Sequence, residues 1–296
     1  MPAAIHKVGF IGIGKMGTPM ARHLARAGFD LYLADVRPQA VIDFLTAHGG
    51  SRLDREAADL DAIVTMLPDG RAVRGVLLDG EQVNSLASRL RSGGLVIDMS
   101  SSDPIGTRAL GASLAERGIG MMDAPVSGGV IFAENGTLSV LAGGKPDHLE
   151  LCRPLFTALA SDVFHCGALG SGHAVKALCN FVNAASLLSL LEAMTVGVRF
   201  GIKMETVVAA LRAATTGPNH PLEKKIAAHI MTRAFGTGMA LGLIAKDVSI
   251  ACNLADVLSV RTPMMESCMT TWEAAVEGIG FDADQTEIAR IWDEFS

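Results

Sequence analysis

The stretch VGFIGIGKMGTPM, residues 8–20, decides how the first part of this chain folds. The apolar run Val8–Ile11 is short, as buried parallel strands are. Gly12, Gly14 and Gly17 follow it in G-x-G-x-x-G order, and an amphipathic helical pattern comes next. In that order the glycines permit a tight turn, close approach of a pyrophosphate and close helix packing. The stretch therefore predicts a dinucleotide-binding loop whose N–H groups hold the phosphates, formed by Gly12, Ile13, Gly14, Lys15, Met16 and Gly17.

An acidic residue follows this loop at the spacing that a dinucleotide site requires. Asp35 ends the apolar run LYLA and lies 21 positions after Gly14. A carboxylate there accepts hydrogen bonds from ribose hydroxyls and repels a 2′-phosphate, which favours NAD over NADP. Arg37 is the opposing signal, because its guanidinium could bind a 2′-phosphate, although a solvated surface arginine is the simpler interpretation. We therefore expect NAD as the cofactor, with NADP less favoured.

The rest of the chain divides into an alternating half and a helical half. In the first half, short apolar runs such as Ala62–Met66 and Leu95–Ile97 alternate with helical stretches that end at a glycine, such as Pro38–His48 and Asp103–Arg117. This alternation predicts an α/β Rossmann domain with a doubly wound, mostly parallel sheet. After about residue 166 the segments are long and helical in period, from His173–Phe200 to one near Gln285–Trp292. We expect a Rossmann domain over residues 1–167 and an all-helical domain for substrate binding and dimerisation over 168–296, divided at the flexible glycines of GALGSG.

Composition and charge exclude several functional classes. The chain has 296 residues, 49% of them hydrophobic, which is too apolar for a disordered protein. The net charge of −6 argues against nucleic-acid binding, because phosphate contacts need a basic face. The five cysteines show no CxxC pair or metal-ligand spacing, so we expect neither a structural metal nor disulfides. The opening MPAAIHKVGF does not resemble a signal peptide, which predicts a cytoplasmic protein with reduced cysteines.

One long apolar segment bears on membranes and on assembly. Ala177–Leu191 is uncharged, but it carries asparagines and serines and falls short of the ~18 consecutive apolar residues that a span needs. We therefore expect a helix buried in soluble protein and no membrane partner. Ala184–Val198 is apolar on more faces than one domain can cover, so we expect a homodimer or homotetramer.

Further motifs carry a family resemblance. The chain contains VTMLPD (64–69), DAPVSGG (123–129), GTL (136–138), GSGHAVKALCN (170–180) and AKD (245–247). Together with the glycine-rich loop they resemble the β-hydroxyacid dehydrogenases, which include 3-hydroxyisobutyrate dehydrogenase, tartronate semialdehyde reductase and 6-phosphogluconate dehydrogenase. The resemblance covers essentially the whole chain. It implies a Rossmann domain followed by a helical domain, and NAD-dependent interconversion of a small 3-hydroxy acid and its semialdehyde.

The chemistry of such a reaction indicates candidate catalytic residues. Oxidising a hydroxyl needs a base that takes the proton while hydride leaves. Lys176 is our candidate acid/base, because burial on an apolar helix would disfavour its ammonium form and the family uses this lysine. A snorkelling surface lysine is the alternative. Asn180 lies one helical turn further on the same face, where its amide can donate to the substrate, or can only bridge neighbouring helices.

Other positions bind substrate or cofactor by the same reasoning and resemblance. Ser127, Gly128 and Gly129 offer a hydroxyl and backbone N–H groups suited to the substrate carboxylate, unless SGG is only a turn. The resemblance implies that the cofactor is lined by Leu67, Pro68, Ser101 and Lys246, with Asp247 orienting Lys246; a surface charge pair is the alternative for the last two. The loop TTGPNHPLEKK (215–225) brings together His220, Lys224 and Lys225, either for a second anionic substrate group or as a solvated turn.

Two departures from the family pattern bear on the substrate. Phe132 stands where SGGxxGA has glycine, and can narrow the entrance beside the carboxylate site. Cys179 stands where asparagine or histidine is usual, and as a buried cysteine would only fill space. The acid therefore stays open between a 3-hydroxyisobutyrate-like substrate and a related acid such as tartronate semialdehyde or a polyhydroxy or sulfonated acid. A non-enzymatic NAD sensor or scaffold is the alternative of another class, and intact Lys176, Asn180 and Ser127 argue against it.

Overall fold

The computed structural model describes residues 4–54, 57–78, 85–215 and 221–292. The chain divides into two compact units, Met1–Lys176 and Ala177–Ser296. The first is an α/β unit and the second is helical, so the predicted fold class is confirmed.

One sheet forms the centre of the first unit. Its strands among the described residues are β1 Lys7–Ile11, β2 Asp30–Ala34, β3 Ser51–Arg52, β4 Leu60–Thr65, β5 Leu90–Asp98, β6 Gly120–Asp123, β7 Val126–Ser127, β8 Leu138–Gly143 and β9 Ala160–Gly167. The strand order is β3-β2-β1-β4-β5-β6-β8-β7, and β9 pairs with β8. The strands β1 to β6 pair in parallel, whereas β8 runs antiparallel to β6 and β7. Since β1 lies between β2 and β4, the chain direction across the sheet reverses at β1 and β4, where doubly wound folds bind ligands.

Helices cover both faces of this sheet. They are α1 Gly17–Arg26, α2 Pro38–His48, α3 Gly70–Leu77, α4 Pro104–Ala115, α5 Val130–Asn135 and α6 Pro146–Leu159. One apolar cluster packs Phe10, Leu24 and Phe156 together, and a second packs Leu77 and Leu114. The bounds of α2 are the predicted ones, because a proline opens this helix and Gly49 closes it. The apolar pattern of the sequence did not predict β6 to β9 or the short helices α3 and α5 as separate elements.

The GALGSG segment is held more firmly than its glycines suggest. The Gly170 N–H donates to Asp123 Oδ1 at 2.7 Å, and the Gly144 N–H donates to the Gly167 carbonyl at 2.9 Å. A Cβ on Gly172 would lie 2.1 Å from the Leu141 carbonyl oxygen. The glycine at 172 therefore permits close approach of two backbones. Helix α7 Ser171–Arg199 begins in this segment.

The second unit is built from helices in its described residues. After α7 come α8 Met204–Thr215, a π-helix Leu222–Ile230, α9 Leu241–Val257, α10 Pro263–Ile279 and a short 3₁₀-helix Gln285–Ile291. Its core packs α7 residues such as Leu187 and Leu191 with Ile244 and Trp272. The π-helix differs from the α-helices around it in its wider turns.

Helix α7 is long and apolar enough to cross a membrane by length and composition. At 29 residues it is longer than the apolar stretch expected from the sequence. A core helix of a soluble protein meets the same two criteria, so this feature alone does not assign the chain to a membrane.

Candidate active site

The glycine-rich loop between β1 and α1 contains two kinds of glycine. Gly12 has φ +103°, and a Cβ there would lie 2.2 Å from the Met66 carbonyl oxygen. A Cβ on Gly17 would lie 1.8 Å from the Gly12 carbonyl oxygen. Both positions therefore require glycine for the fold itself. A Cβ on Gly14, by contrast, would meet nothing within 4 Å. The space beside Gly14 and the N–H groups at the start of α1 fit the pyrophosphate of a dinucleotide.

Asp35 follows β2 and is tied to the same loop. Its Oδ2 accepts the Ile13 N–H at 2.7 Å, and its Oδ1 accepts the backbone N–H and the Nε–H of Arg37 at 2.8 and 3.1 Å. Burial by itself raises the pKa of the Asp35 carboxyl, but the hydrogen bonds from Arg37 and Ile13 outweigh it and hold the pKa below its usual value. The Arg37 guanidinium also donates to the Ile13 carbonyl at 2.7 Å. Asp35 is thus an ionised acceptor at the edge of the loop, and Arg37 is engaged with it.

The other predicted cofactor residues of the first unit follow neighbouring strands. Leu67 comes after β4, and its N–H donates to Ser100 Oγ at 2.9 Å. A Cβ on Gly12 would lie 3.1 Å from Leu67 Cδ2, so this side chain lies beside the glycine-rich loop. Pro68 is exposed and Ser101 is half-buried after β5. The structure therefore brings these residues together at the carboxyl ends of β1, β2, β4 and β5.

The SGG motif lies at the end of β7. Gly128 has φ +126° and Gly129 has φ +78°, conformations that other residues rarely adopt. Ser127 is half-buried, and α5 begins directly after Gly129. A Cβ on Gly128 would lie 2.7 Å from the Phe132 Cβ, so Phe132 lies against the backbone of this motif. Phe132 therefore restricts the space beside the SGG backbone.

Lys176 lies on the second turn of α7 and is half-buried. The first turn of this helix is fixed to the sheet, because Asp123 at the end of β6 accepts the N–H groups of Gly170 and His173 at 2.7 and 2.8 Å. Asn180 follows Lys176 by one turn of the same helix. Cys179 is exposed, so the expectation that it fills a buried space is wrong.

In the second unit a buried carboxylate joins two predicted site residues. The Asn180 side-chain amide donates to Asp247 Oδ2, and both residues are buried. Lys246 Nζ lies 3.2 Å from Asp247 Oδ1, an ion-pair distance. Asp247 therefore contacts Asn180 as well as Lys246. The sequence did not predict the contact with Asn180, because 67 positions separate the two residues.

The predicted basic cluster near the π-helix is described only in part. His220 lies outside the described residues, and Lys224 is exposed. Lys225 is half-buried, and burial lowers the pKa of its amine to about 8, against the opposing effect of the Asp284 carboxylate. Because a lower pKa disfavours the ammonium form, burial makes this amine a weaker partner for an anionic group.

A buried polar cluster in the first unit was not predicted at all. Asp98 and Asp123 end the neighbouring strands β5 and β6, and His173 lies between them, with all three side chains at most 1% exposed. The signal that could have found it is the aspartate at the end of both LVID and GMMD. Among the described residues, no group of three or more His, Cys, Asp or Glu side chains could hold a metal ion.

Known proteins match this chain over nearly its whole length. The family model described as the NAD binding domain of 6-phosphogluconate dehydrogenase matches residues 7–167, and the model for the NAD-binding region of NADP-dependent 3-hydroxyisobutyrate dehydrogenase matches residues 170–292. The chain is 32% identical to the 2-(hydroxymethyl)glutarate dehydrogenase of Eubacterium barkeri, over 98% of this chain and 96% of that protein. It is also 32% identical to the NAD-dependent L-serine dehydrogenase of Pseudomonas aeruginosa, over 97% and 98% of the two chains. A solved structure of the Mycobacterium tuberculosis 3-hydroxyisobutyrate dehydrogenase with L-serine is similar with a TM-score of 0.84 and 26% identity, covering 97% of this chain and 99% of the other.

Proposed function

This chain belongs to the β-hydroxyacid dehydrogenase family and is an NAD(P)-dependent hydroxyacid dehydrogenase, and we propose that it interconverts a small 3-hydroxy acid and its semialdehyde, as 3-hydroxyisobutyrate dehydrogenase does. The relatives support this substrate class. Serine, 2-(hydroxymethyl)glutarate and 3-hydroxyisobutyrate each carry a hydroxyl on the carbon next to the one that bears the carboxylate.

One observation carries the proposal. The start of α7, which bears Lys176, is bonded to Asp123 at the carboxyl end of β6, on the same sheet edge as the glycine-rich loop and Asp35. A lysine fixed at this edge is suited to proton transfer next to a bound nicotinamide.

The residues then have distinct roles in the proposed reaction. Lys176 takes the proton of the substrate hydroxyl during oxidation and returns it during reduction. The Ser127 hydroxyl and the backbone N–H groups of Gly128 and Gly129 hold the substrate carboxylate still. Asn180, whose amide is held by Asp247, donates a hydrogen bond to the substrate. When bound, NAD supplies the nicotinamide that accepts the hydride.

We propose NAD as the preferred cofactor. Asp35 would accept the ribose hydroxyls, and its negative charge would repel a 2′-phosphate. Arg37, the group that could favour NADP, already donates to Asp35 and to the Ile13 carbonyl. Initial rates with each cofactor test this proposal. A higher kcat/KM with NADP than with NAD would contradict it.

The substrate class is tested by following NADH formation with a panel of 3-hydroxy acids. Lys176→Met is expected to abolish turnover and to leave NADH binding intact, because the proton acceptor is lost and the nucleotide loops are untouched. Lys203→Met, at an exposed lysine between α7 and α8, is the matched control and should retain activity. Retained activity in Lys176→Met would remove this lysine from the mechanism. A wild-type chain that binds NADH but oxidises no 3-hydroxy acid would refute the proposed substrate class.

Phe132 favours a second candidate within the same class. Phe132 stands at a position where the family pattern has glycine, and its side chain lies against Gly128. We therefore expect the acid that fits beside SGG to differ from that of typical members. The alternative is reduction of a related acid such as tartronate semialdehyde or a polyhydroxy or sulfonated acid. Phe132→Gly should change the KM ranking of the acids and leave the dissociation constant of NADH unchanged. An unchanged ranking would show that Phe132 does not select the substrate.

We further propose a soluble, cytoplasmic homodimer or homotetramer. Apolar side chains are exposed on and after α7, including Val196, Phe200 and Ile202, and they border an open apolar groove between α7 and α8. Such a face is stabilised when a second copy covers it. Sedimentation at micromolar concentration tests the assembly, and a monomeric mass would contradict it.

A further inference from the structure

Two buried carboxylates lie side by side at the edge of the sheet. Asp98 and Asp123 are register partners on the parallel strands β5 and β6. Neighbouring strands are about 4.8 Å apart, and paired residues project to the same face. Asp98 is 1% exposed and Asp123 is fully buried. Two negative charges in this arrangement repel each other and are costly to bury without a cation between them.

Both aspartates accept several hydrogen bonds. Asp98 accepts the Thr65 hydroxyl at 2.9 Å, the Ser100 N–H at 3.0 Å and the Ser102 hydroxyl at 2.9 Å. Asp123 accepts two backbone N–H groups at the start of α7, one on each oxygen. Burial raises the pKa of Asp123, against the opposing effects of His173 and of these N–H groups.

The His173 ring lies between these two carboxylates. Its Nε2 is 3.7 Å from Asp98 Oδ2, and its Nδ1 is 3.8 Å from Asp123 Oδ2. The ring nitrogens have other hydrogen-bond partners, the Ser100 carbonyl oxygen at 3.1 Å from Nε2 and the Thr107 hydroxyl at 2.8 Å from Nδ1. The ring therefore connects the start of α7 to β5, β6 and α4.

The hydrogen-bond partners restrict where the ring protons can be. A carbonyl only accepts, so Nε2 carries a hydrogen. The Thr107 hydroxyl has a single proton and lies within reach of two acceptors, the Asp103 carbonyl oxygen at 2.9 Å and His173 Nδ1 at 2.8 Å. When that proton goes to the Asp103 carbonyl, Thr107 accepts from His173, and Nδ1 carries a hydrogen as well. The ring is then an imidazolium, a cation that two neighbouring carboxylates favour.

We propose that His173 is a buried imidazolium between Asp98 and Asp123, and that this charged triad positions Lys176. His173 precedes Lys176 by three residues on α7, a spacing at which two side chains share one face of a helix. His173 is a positioning residue: it fixes the first turn of the helix and thereby the orientation of Lys176. The positioning role rests on the proposed function of Lys176, whereas the charge of the triad does not.

The charge is tested without any activity measurement. The full-length protein is labelled with ¹⁵N at histidine ring nitrogens, and His173 is assigned by its loss in His173→Gln. At pH 7, with NADH bound, the two ring nitrogens are expected to give the similar shifts of a doubly protonated ring. One strongly deshielded, unprotonated nitrogen would overturn the imidazolium.

The positioning role is tested by kinetics. His173→Gln should lower kcat about a hundredfold, because small misplacements of a catalytic group have effects of that size, while the dissociation constant of NADH stays unchanged. His165→Gln is the matched control, a histidine on β9 whose Nε2 lies 3.0 Å from the Gly144 carbonyl oxygen, and it should retain wild-type kcat. Wild-type kcat in His173→Gln would overturn the positioning role.

A milder pair of variants covers the case in which His173→Gln does not fold. Thr107→Val keeps the shape of the side chain and removes the acceptor for Nδ1, whereas Thr107→Ser keeps the hydroxyl. We expect Thr107→Val to lower kcat and Thr107→Ser to restore it. Equal kcat in all three proteins would overturn the role of the triad. If the wild type oxidises no 3-hydroxy acid, the proposed function fails, and the ring spectrum still decides the charge of His173.

Discussion

The glycines of the nucleotide loop allow the demands of the fold to be separated from those of the cofactor. In Gly17→Ala, the new methyl would lie 1.8 Å from the Gly12 carbonyl oxygen, a backbone atom that cannot move aside alone. In Gly14→Ala, the methyl would meet nothing within 4 Å, and Gly14 is not among the residues with positive φ. The first change therefore perturbs the fold, and the second perturbs only what binds beside the loop.

The expected magnitudes follow from these contacts. Overpacking of the kind in Gly17→Ala costs about 1–3 kcal/mol, which corresponds to a fall in Tm of about 3–9 °C for a domain of this size. Gly14→Ala should be neutral or stabilising by about 0.4–1 kcal/mol, because alanine restricts the unfolded chain. Its methyl occupies the space assigned to the pyrophosphate, so the dissociation constant of NADH should rise at least about tenfold, or about 1.4 kcal/mol.

The assay combines thermal unfolding without cofactor, followed by circular dichroism, with titration of NADH by calorimetry. Gly75→Ala is the matched control, since its methyl also meets nothing within 4 Å and it lies in α3, away from the loop. It should bind NADH as the wild type does. Wild-type affinity in Gly14→Ala would refute the assignment of the pyrophosphate site. A wild-type Tm in Gly17→Ala would refute the packing argument.

Two further predictions concern a structural and a functional carboxylate. Asp61 accepts the N–H groups of His6 and Lys7 and the Arg91 Nε–H. Burial raises the pKa of the Asp61 carboxyl, but these hydrogen bonds outweigh burial and lower it. The ionised carboxylate therefore stabilises the fold above about pH 4, and this stability is lost as pH falls through the lowered pKa. Asp61→Asn should lower the free energy of unfolding by about 1–3 kcal/mol at pH 7. Urea unfolding should show the difference between variant and wild type shrinking toward pH 3. A difference that stays constant with pH would contradict the link between the Asp61 charge and stability. Asp247→Ala leaves the Asn180 amide without its acceptor, so kcat/KM for the acid should fall about tenfold or more; unchanged steady-state kinetics would show that the pair has no role in the reaction.

Local sequence signals were sufficient for the elements whose structure depends on neighbouring residues. The strand–loop–helix around Gly12 and Gly17 was predictable, because turn geometry and close packing restrict the residue type at each position. The bounds of α2 were predictable, because Pro38 and Gly49 act within one turn of its ends. The short strands β6 to β9 were not, since their pairing depends on distant partners and their patterns are only a few residues long.

The candidate site shows the same division. The sequence by itself determined the nucleotide loop and Asp35, the order of the α/β and helical parts, and Lys176 and Asn180 one helical turn apart. Only the tertiary structure decided that Asp247 holds Asn180, and that His173 lies between Asp98 and Asp123. These contacts join residues from 50 to 75 positions apart. They depend on strand register and on the close packing of the start of α7 against β8, and burial makes the charges there interact strongly. A pattern of neighbouring residues contains neither the distance between such groups nor their burial, and these two quantities determine the electrostatics of the site.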